Sequence, residues 1–433
     1  LSAACPPVVS ARRDAKPQGA DASSASIPLG LKSGAIKAEW RQLRQVLLHQ
    51  PGEELFAAAI HPEAARLEKP FTVTKAQAEQ RVVLDMLRKQ GVQVVTIAEA
   101  LLDGAGDNQG NPLPGAKLDE LRAFAAMFLT YDASDLSIEE QAKQEAYKRT
   151  VIDNSYPAEL VKIILLQPTV RLLPAEGAPG YAPVYEFSPV GGLVQCRDFC
   201  ISTSKGLVLG RLNSPQRGVE AEIVRFALHK LGIAPVFEVQ ADGRLEGGDF
   251  FALGALSLLG QGLRTNEEAV RQLLQNKVFG TPRVAVVKDP GKTPSETHLD
   301  SYFNVLGPKL ALLTKERYEA KDPARRSLVD MYELEGGAYA LKKQDIPLRV
   351  FLEKELGLSV LQISSEDQRN FGLEYLQLGP NRILGQSGAE SVSDAYKKAL
   401  KENTVSAIWM EFKDGTRGFG RRNALIPLAR DEK

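Results

Sequence analysis

A few short stretches hold the residue types that could do chemistry. "RLEGGDFFALG" sets Glu246 and Asp249 either side of two glycines, and glycine lets a backbone come close to a ligand. Alone, it also reads as a turn with two solvated carboxylates. "THLDSYFNVLGP" places His298 two residues before Asp300. On a strand those side chains share a face, and a histidine beside a carboxylate is an acid/base unit. The plainer reading is a strand-end histidine with a hydrogen-bonded aspartate. "VQCRDFC" holds Arg197 and Asp198, a pairing that by itself is usually structural. "GQGLRTNEEAV" and "NSPQRGVEAE" put Arg264 and Arg217 in matching places, each just before a helix.

Composition narrows what these residues could act on. The chain has 433 residues, 43% hydrophobic and 25% charged, an ordinary globular profile. Lys and Arg total 54, balanced by 54 Asp and Glu. A zero balance provides no general field for nucleic acid or an anionic membrane, so neither is expected as a partner. Three cysteines, Cys5, Cys196 and Cys200, make no disulfide framework and no CxxC pair. His49, His61, His229 and His298 never fall at ligand spacing, so no metal and no cofactor is expected. The opening "LSAAC", then a Pro/Ala/Ser-rich run, resembles a signal-peptide remnant and flexible linker over residues 1–37. Cys5 fits a bacterial lipobox cysteine, although Ser2 is unusual three before it. The expectation is a periplasmic or membrane-anchored lipoprotein; the alternatives are a trimmed chain whose Cys5 has no role and a cytoplasmic protein.

Something must position the candidate residues, and a repeat provides it. One unit recurs: strand, tight turn, strand, helix, strand. "CISTSKGLVLGRL" precedes the helix "GVEAEIVRFALHKLG" and the strand "APVFEVQ". "DFFALGALSLLGQG", "SYFNVLGPKLALL" and "EYLQLGPNRILGQ" open three more units, and "LRQVLLHQPG" opens one near the start. In the helix after Arg217, Ile223, Phe226, Ala227 and Leu231 share a face at 3.6 spacing. Gly91, Gly232 and Gly357 stand where a left-handed C-cap is wanted. Thr74 and Ser391 or Ser393 are expected N-caps. The five units predict an α/β fold closing around an axis, with a central site at the strand ends. Residues 38–433 then form one domain. A helical insertion interrupts it at about 100–170, and a smaller insertion at about 317–345.

The motifs together resemble the pentein-fold enzymes that modify guanidino groups, and among them arginine deiminase most. The likeness covers the chain from about residue 38. "LRQVLLHQPG", the "RD" of Arg197–Asp198, "EGGD", "RTN" and "HLD" occur in the family's order. The helical insertion is similar to arginine deiminase, whereas "FNVLGP" is also similar to amidinotransferases. The fold implied is a five-fold pseudo-symmetric α/β propeller of ββαβ units. The resemblance implies that Asp198 and Asp300 hold a planar guanidinium through paired N–H donors. It implies that His298 shuttles protons, that Glu246 orients and charges it, and that Asp249 supports the loop. Asp249 and Arg197 also join the set expected around the substrate, and Arg217 and Arg264 are expected to bind an α-carboxylate.

The implied nucleophile is a cysteine in a C-terminal loop, forming an amidino-thioether that water resolves. Here that loop reads "GTRGFGRRNALIPL", and Arg422 and Pro427 set its register. The cysteine position then holds Asn423; a slip of one residue would place Ala424 there instead. Neither is a nucleophile. Cys196 shares a face with Asp198 if the segment is a strand, but a buried structural cysteine is the better reading. The acidic pair expected before the first helix is absent from "RLEKPFTVTKAQ", and the polar stretch before the fifth unit reads "DQRNFGLEYL". Two functions follow: a deiminase or related guanidine hydrolase, inactive or with altered chemistry, or a non-catalytic protein that binds arginine or a related guanidino compound; an amidinotransferase is a further alternative. Either has a small guanidino molecule as partner, and a homo-oligomer is compatible with both.

Overall fold

The computed structural model describes residues 35–63, 70–175, 180–214, 217–370, 372–387, 394–411 and 425–431. Cys5, Ser391, Ser393, Arg422, Asn423 and Ala424 lie outside them. The described residues form a mixed α/β structure with six sheets. In all six, a middle strand pairs antiparallel on one side and parallel on the other, and five of the six belong to the repeated units.

The second unit shows it plainly. Cys200–Thr203 runs antiparallel to Gly206–Leu209, which pairs parallel with Phe237–Glu238. The helix Gly218–Lys230 makes the crossover, burying Ile223, Val224, Ala227 and Leu228. A parallel pair needs such a crossover because a tight turn cannot return the chain in the same direction. The strands Phe250–Ala252, Leu256–Gln261 and Arg283–Lys288 repeat the arrangement. So do Phe303–Val305, Leu310–Thr314 and Ser359–Ile363, and then Leu376–Gly379, Arg382–Ser387 and Ser406–Glu411.

Among the described residues, the first unit has no opening strand of its own. The strand Leu43–Leu48 pairs parallel with Gln93–Thr96, and its antiparallel partner is Leu425–Arg430 from the far end of the chain. The stretch expected to be loop up to Leu428 is therefore strand from Leu425 onward. Pro427 is tolerated because this strand is an edge, where a missing N–H breaks no central ladder. Arg430 fastens the closure. Its guanidinium is buried, donates to the Arg41 carbonyl at 2.6 Å and the Gln377 carbonyl at 2.9 Å, and lies 3.7 Å from Glu39. Burial pushes its pKa down to about 10 despite Glu39. Arg430→Met should lower the unfolding free energy in urea by about 3 kcal/mol, because it leaves two carbonyls without their donor and takes a countercharge from buried Glu39. A loss under about 1 kcal/mol would show that the strand closes without it.

Both insertions differ from expectation. The first holds the helices Ala116–Ala126, Ile138–Asn154 and Pro157–Leu166 but also a sheet of Thr130–Asp132, Pro168–Pro174 and Tyr181–Phe187. Leu118, Leu121, Ile152 and Leu160 share one core with Leu47, Ile223, Ala227, Ile426 and Leu428. The second is a hairpin, Leu328–Glu335 with Ala338–Pro347, that widens the third sheet to five strands. Gly91, Gly232 and Gly357 have φ of 75°, 72° and 66°, as the cap reading requires. The helix Val73–Lys89 is capped by Thr72, not Thr74, and the Thr72 side chain accepts the Lys75 N–H.

Candidate functional site

Three short 3-10 turns build the site, each leading into the first strand of a unit. They are Cys196–Phe199, Gly247–Asp249 and Leu299–Ser301. Each presents one aspartate near its end: Asp198, Asp249 and Asp300. All three are buried, at 3%, 3% and 6% exposure. His298 and Asp300 thus sit on a turn, not on a strand with alternating faces. The same correction removes the strand argument for Cys196 and Asp198.

The two glycines of "EGGD" serve packing between turns. A Cβ on Gly247 would run into the Arg197 and Cys200 carbonyl oxygens. A Cβ on Gly248 would stand 2.8 Å from the His298 ring and 3.0 Å from an Asp300 oxygen. Their lack of a side chain lets the second turn seat against its neighbours.

His298 is set by what surrounds it. Its Nε2 lies 2.7 Å from Glu246 Oε2. The other Glu246 oxygen accepts from the Asn213 N–H at 3.0 Å and from Arg264 at 3.3 Å. Burial acts against the imidazolium, but the Glu246 hydrogen bond and the carboxylates of Asp198, Asp249 and Asp300 outweigh it and raise the His298 pKa. Burial likewise opposes the Glu246 carboxylate, and His298 and Arg264 hold its pKa below the ordinary range. The two form an ion pair.

The sign of the pH dependence follows. Folding raises His298 above its ordinary 6.5, so its contribution is complete below that value and fades as pH climbs through the folded pKa. Folding lowers Glu246 below 4.5, so its contribution is complete above that value and fades as pH falls through the folded pKa. Asp249 runs the other way. Burial lifts it from 3.8 to about 7, so keeping it inside costs stability as pH rises between those values. Glu246→Gln should bring the His298 titration, followed by imidazole NMR, down toward its ordinary value. An unchanged titration would mean the surrounding aspartates suffice.

Asp249 is tied to protein groups. It accepts the Thr265 hydroxyl at 2.6 Å and the Leu299 N–H at 2.8 Å, so it joins its own turn to the His298 turn. Arg197 is also engaged with protein groups: it is buried and donates to Glu39 at 3.2 Å and the Phe250 carbonyl at 3.0 Å. Both were expected around the substrate, and their hydrogen bonds give them a framework position instead. Asp198 keeps its Oδ1 buried with no hydrogen-bond partner among the described residues. Its Oδ2 accepts from Arg217 at 2.7 Å. Arg217 also donates to Glu220 at 2.8 Å and to the Gly192 carbonyl at 3.0 Å, and lies over the Phe199 ring at 4.9 Å. Sequence reasoning missed Glu220 and Thr265. Glu220 stands three residues after Arg217 at a helix start, a spacing that puts opposite charges together.

Histidine spacing pointed to no metal, yet the turns bring an oxygen of Asp198, an oxygen of Glu246 and a nitrogen of His298 within 4.8 Å of one another. No sequence spacing could show this, because the three come from separate turns. Glu246 is already committed to His298 and Arg264, so the donor set suits a planar cation held by hydrogen bonds better than a metal ion.

Cys196 is no substitute nucleophile. It is fully buried, its thiol donates to the Leu193 carbonyl at 3.0 Å, and burial drives its pKa up. Burial pushes Cys200 up to about 12. In a Cys5→Ser chain, both thiols should react with Ellman's reagent at least about 100-fold more slowly when folded than in denaturant. Fast labelling in the folded state would reopen the question.

A buried histidine–carboxylate pair and three buried aspartates thus meet on or beside turns at the strand starts of repeated α/β units. The fold has counterparts. The chain matches a saxitoxin-pathway amidinotransferase from Microseira wollei with a TM-score of 0.50 at 12% identity, covering 92% of this chain and 98% of that one. It matches the N-terminal domain of a cyanobacterial arginine dihydrolase, solved with its product, with a TM-score of 0.50 at 13% identity, covering 89% and 96%. Two curated arginine deiminases are similar in sequence. The one from Halobacterium salinarum is 22% identical over 80% of this chain and 84% of its own length. The one from Borrelia garinii subsp. bavariensis is 21% identical over 92% and 98%. The arginine deiminase family model matches residues 66–421, and the chain belongs to that family. The match ends two residues short of Asn423.

Proposed function

We propose that this protein binds a guanidino compound of the arginine class without turning it over. The observation that carries the reading is the Asp198–Glu246–His298–Asp300 frame, buried and organised, in a chain whose sequence holds Asn423 at the nucleophile position. Asp198 and Asp300 receive the guanidinium N–H donors. Glu246 keeps His298 charged, and Asp249 and Arg197 brace the turns. Family membership supports a guanidino ligand.

The five repeated sheets close into a five-fold propeller of one domain, residues 38–433. The insertion at about 100–170 packs on its first two units. An N-terminal tether through Cys5 would hold it outside the membrane. The loss of the cysteine bears equally on a deiminase and on an amidinotransferase, since the amidino-thioether needs that sulfur.

The test is turnover. Unaltered protein at high concentration, given L-arginine, should yield no citrulline or ammonia above background over hours. Steady product at one or more turnovers per second, in the ordinary enzyme range, would make it a deiminase using other chemistry.

A further inference from the structure

One hydroxyl joins two of the site turns. We propose that Thr265 is a positioning residue for the site: its hydroxyl holds Asp249 in the carboxylate form and ties the backbone of Glu246 to the turn that carries His298. Its effect on binding rests on the proposed function; its effect on His298 does not.

Thr265 is buried between the strand Leu256–Gln261 and the helix Glu267–Gln275. Its backbone is fixed on both sides: its carbonyl accepts the Gly262 N–H at 2.9 Å, and the next residue, Asn266, caps the helix. Its Oγ accepts the Glu246 N–H at 3.3 Å and donates to Asp249 Oδ2 at 2.6 Å. The other Asp249 oxygen accepts the N–H of Leu299, the residue after His298, at 2.8 Å. Glu246 and His298 are therefore joined twice. One link is their side-chain contact at 2.7 Å, and the other runs round through Thr265, Asp249 and the Leu299 N–H.

The direction of these bonds is forced. A backbone N–H can only donate, and a hydroxyl has one proton. With the Glu246 N–H pointing at the Thr265 oxygen, the Thr265 proton goes to Asp249. Both Asp249 oxygens then face a donor, so a proton on either one displaces a bond, and the carboxylate form is favoured. A Cβ on Gly260 would stand 2.5 Å from Asp249 Oδ1, so the backbone closes another side. The titratable groups facing Asp249 are His298 and Asp300 on the neighbouring turn and Tyr302 just past it. Burial and Asp300 oppose the carboxylate, His298 and the two donors support it, and the balance stands at about 7. One hydroxyl more or less therefore decides the charge of Asp249 near neutral pH. That charge helps to keep His298 protonated and adds to the field that a bound guanidinium meets.

Two substitutions separate the hydroxyl from the packing. Thr265→Val keeps the shape and removes the hydroxyl, whereas Thr265→Ser keeps the hydroxyl and removes a methyl. In Thr265→Val the His298 titration, followed by imidazole NMR, should fall by about one pH unit. Its calorimetric affinity for L-arginine near neutral pH should fall about tenfold and recover as pH rises and Asp249 ionises. Thr265→Ser should match the unaltered protein in both measurements. If Thr265 serves packing alone, Val becomes the harmless change, Ser the harmful one, and no recovery with pH appears; that result overturns the inference. Asp249→Asn, which copies the neutral acid, guards against a Thr265→Val chain that fails to fold. It should lower the His298 titration and the affinity with no recovery at higher pH, and unchanged values would overturn the inference. If L-arginine does not bind the unaltered protein, the proposed function falls, and the His298 titration still decides the role of Thr265.

Discussion

Asn423→Cys should convert the protein into a catalyst, releasing ammonia from a bound guanidino compound at least about 1,000-fold faster than the unaltered chain. The size follows from what a covalent nucleophile contributes when the rest of a catalytic unit is intact. The restored thiolate attacks the guanidinium carbon. Ammonia leaves with a proton from His298, and water, giving its proton back to His298, resolves the amidino-thioether to a ureido product. Among the described residues, His298 is charged by Glu246 at 2.7 Å, and Asp249 holds the His298 turn through the Leu299 N–H at 2.8 Å. Ammonia release measured on both proteins, with Ala424→Cys as the register control, checks it. Activity from the 424 variant alone would move the nucleophile position by one residue. Activity from neither would mean that the frame no longer supports attack.

The second large effect concerns binding. Asp198→Asn should weaken affinity for the best guanidino ligand about 30-fold or more, the lower end of what truncating one partner of a buried charge pair costs. The substitution keeps the shape and removes the charge. Arg217 retains Glu220 and the Gly192 carbonyl, so thermal unfolding should move much less than affinity. Calorimetry and a melting curve on the same preparation separate the two. Unchanged affinity would place the ligand away from the Cys196–Phe199 turn.

Much of this could be read in the chain before folding, and the failures have physical causes. The five strand–turn–strand–helix–strand units were legible because tight turns and helical periodicity are local signals. The closing strand was not, since Leu425–Arg430 pairs with Leu43–Leu48 across almost the whole chain. The hairpin Leu328–Pro347 looked like an insertion because nothing local says that it joins the third sheet.

At the site, "RD", "EGGD" and "HLD" named residues that the fold brings together, but alternation gave the wrong local geometry. The aspartates belong to 3-10 turns that precede the strands, so a two-residue spacing there does not mean a shared face. The glycines were taken as room for a ligand, whereas Gly247 and Gly248 make room for Arg197, Cys200 and His298. Arg217 was legible as a site residue but not its partners. Its bracket of Asp198 and Glu220 depends on how a helix start meets a turn nineteen residues earlier. The nucleophile position rests on Arg422 and Pro427 alone, because residues 412–424 lie outside the described structure.

The most direct test is calorimetric titration of the unaltered protein with simple guanidino compounds at low ionic strength, with alkylamines of equal charge as controls. The account predicts saturable binding at one site per chain, selective for the guanidinium over the amine, because paired acceptors match a planar fork and not a point charge. Equal heats for amine and guanidine, or no binding of either, would contradict it.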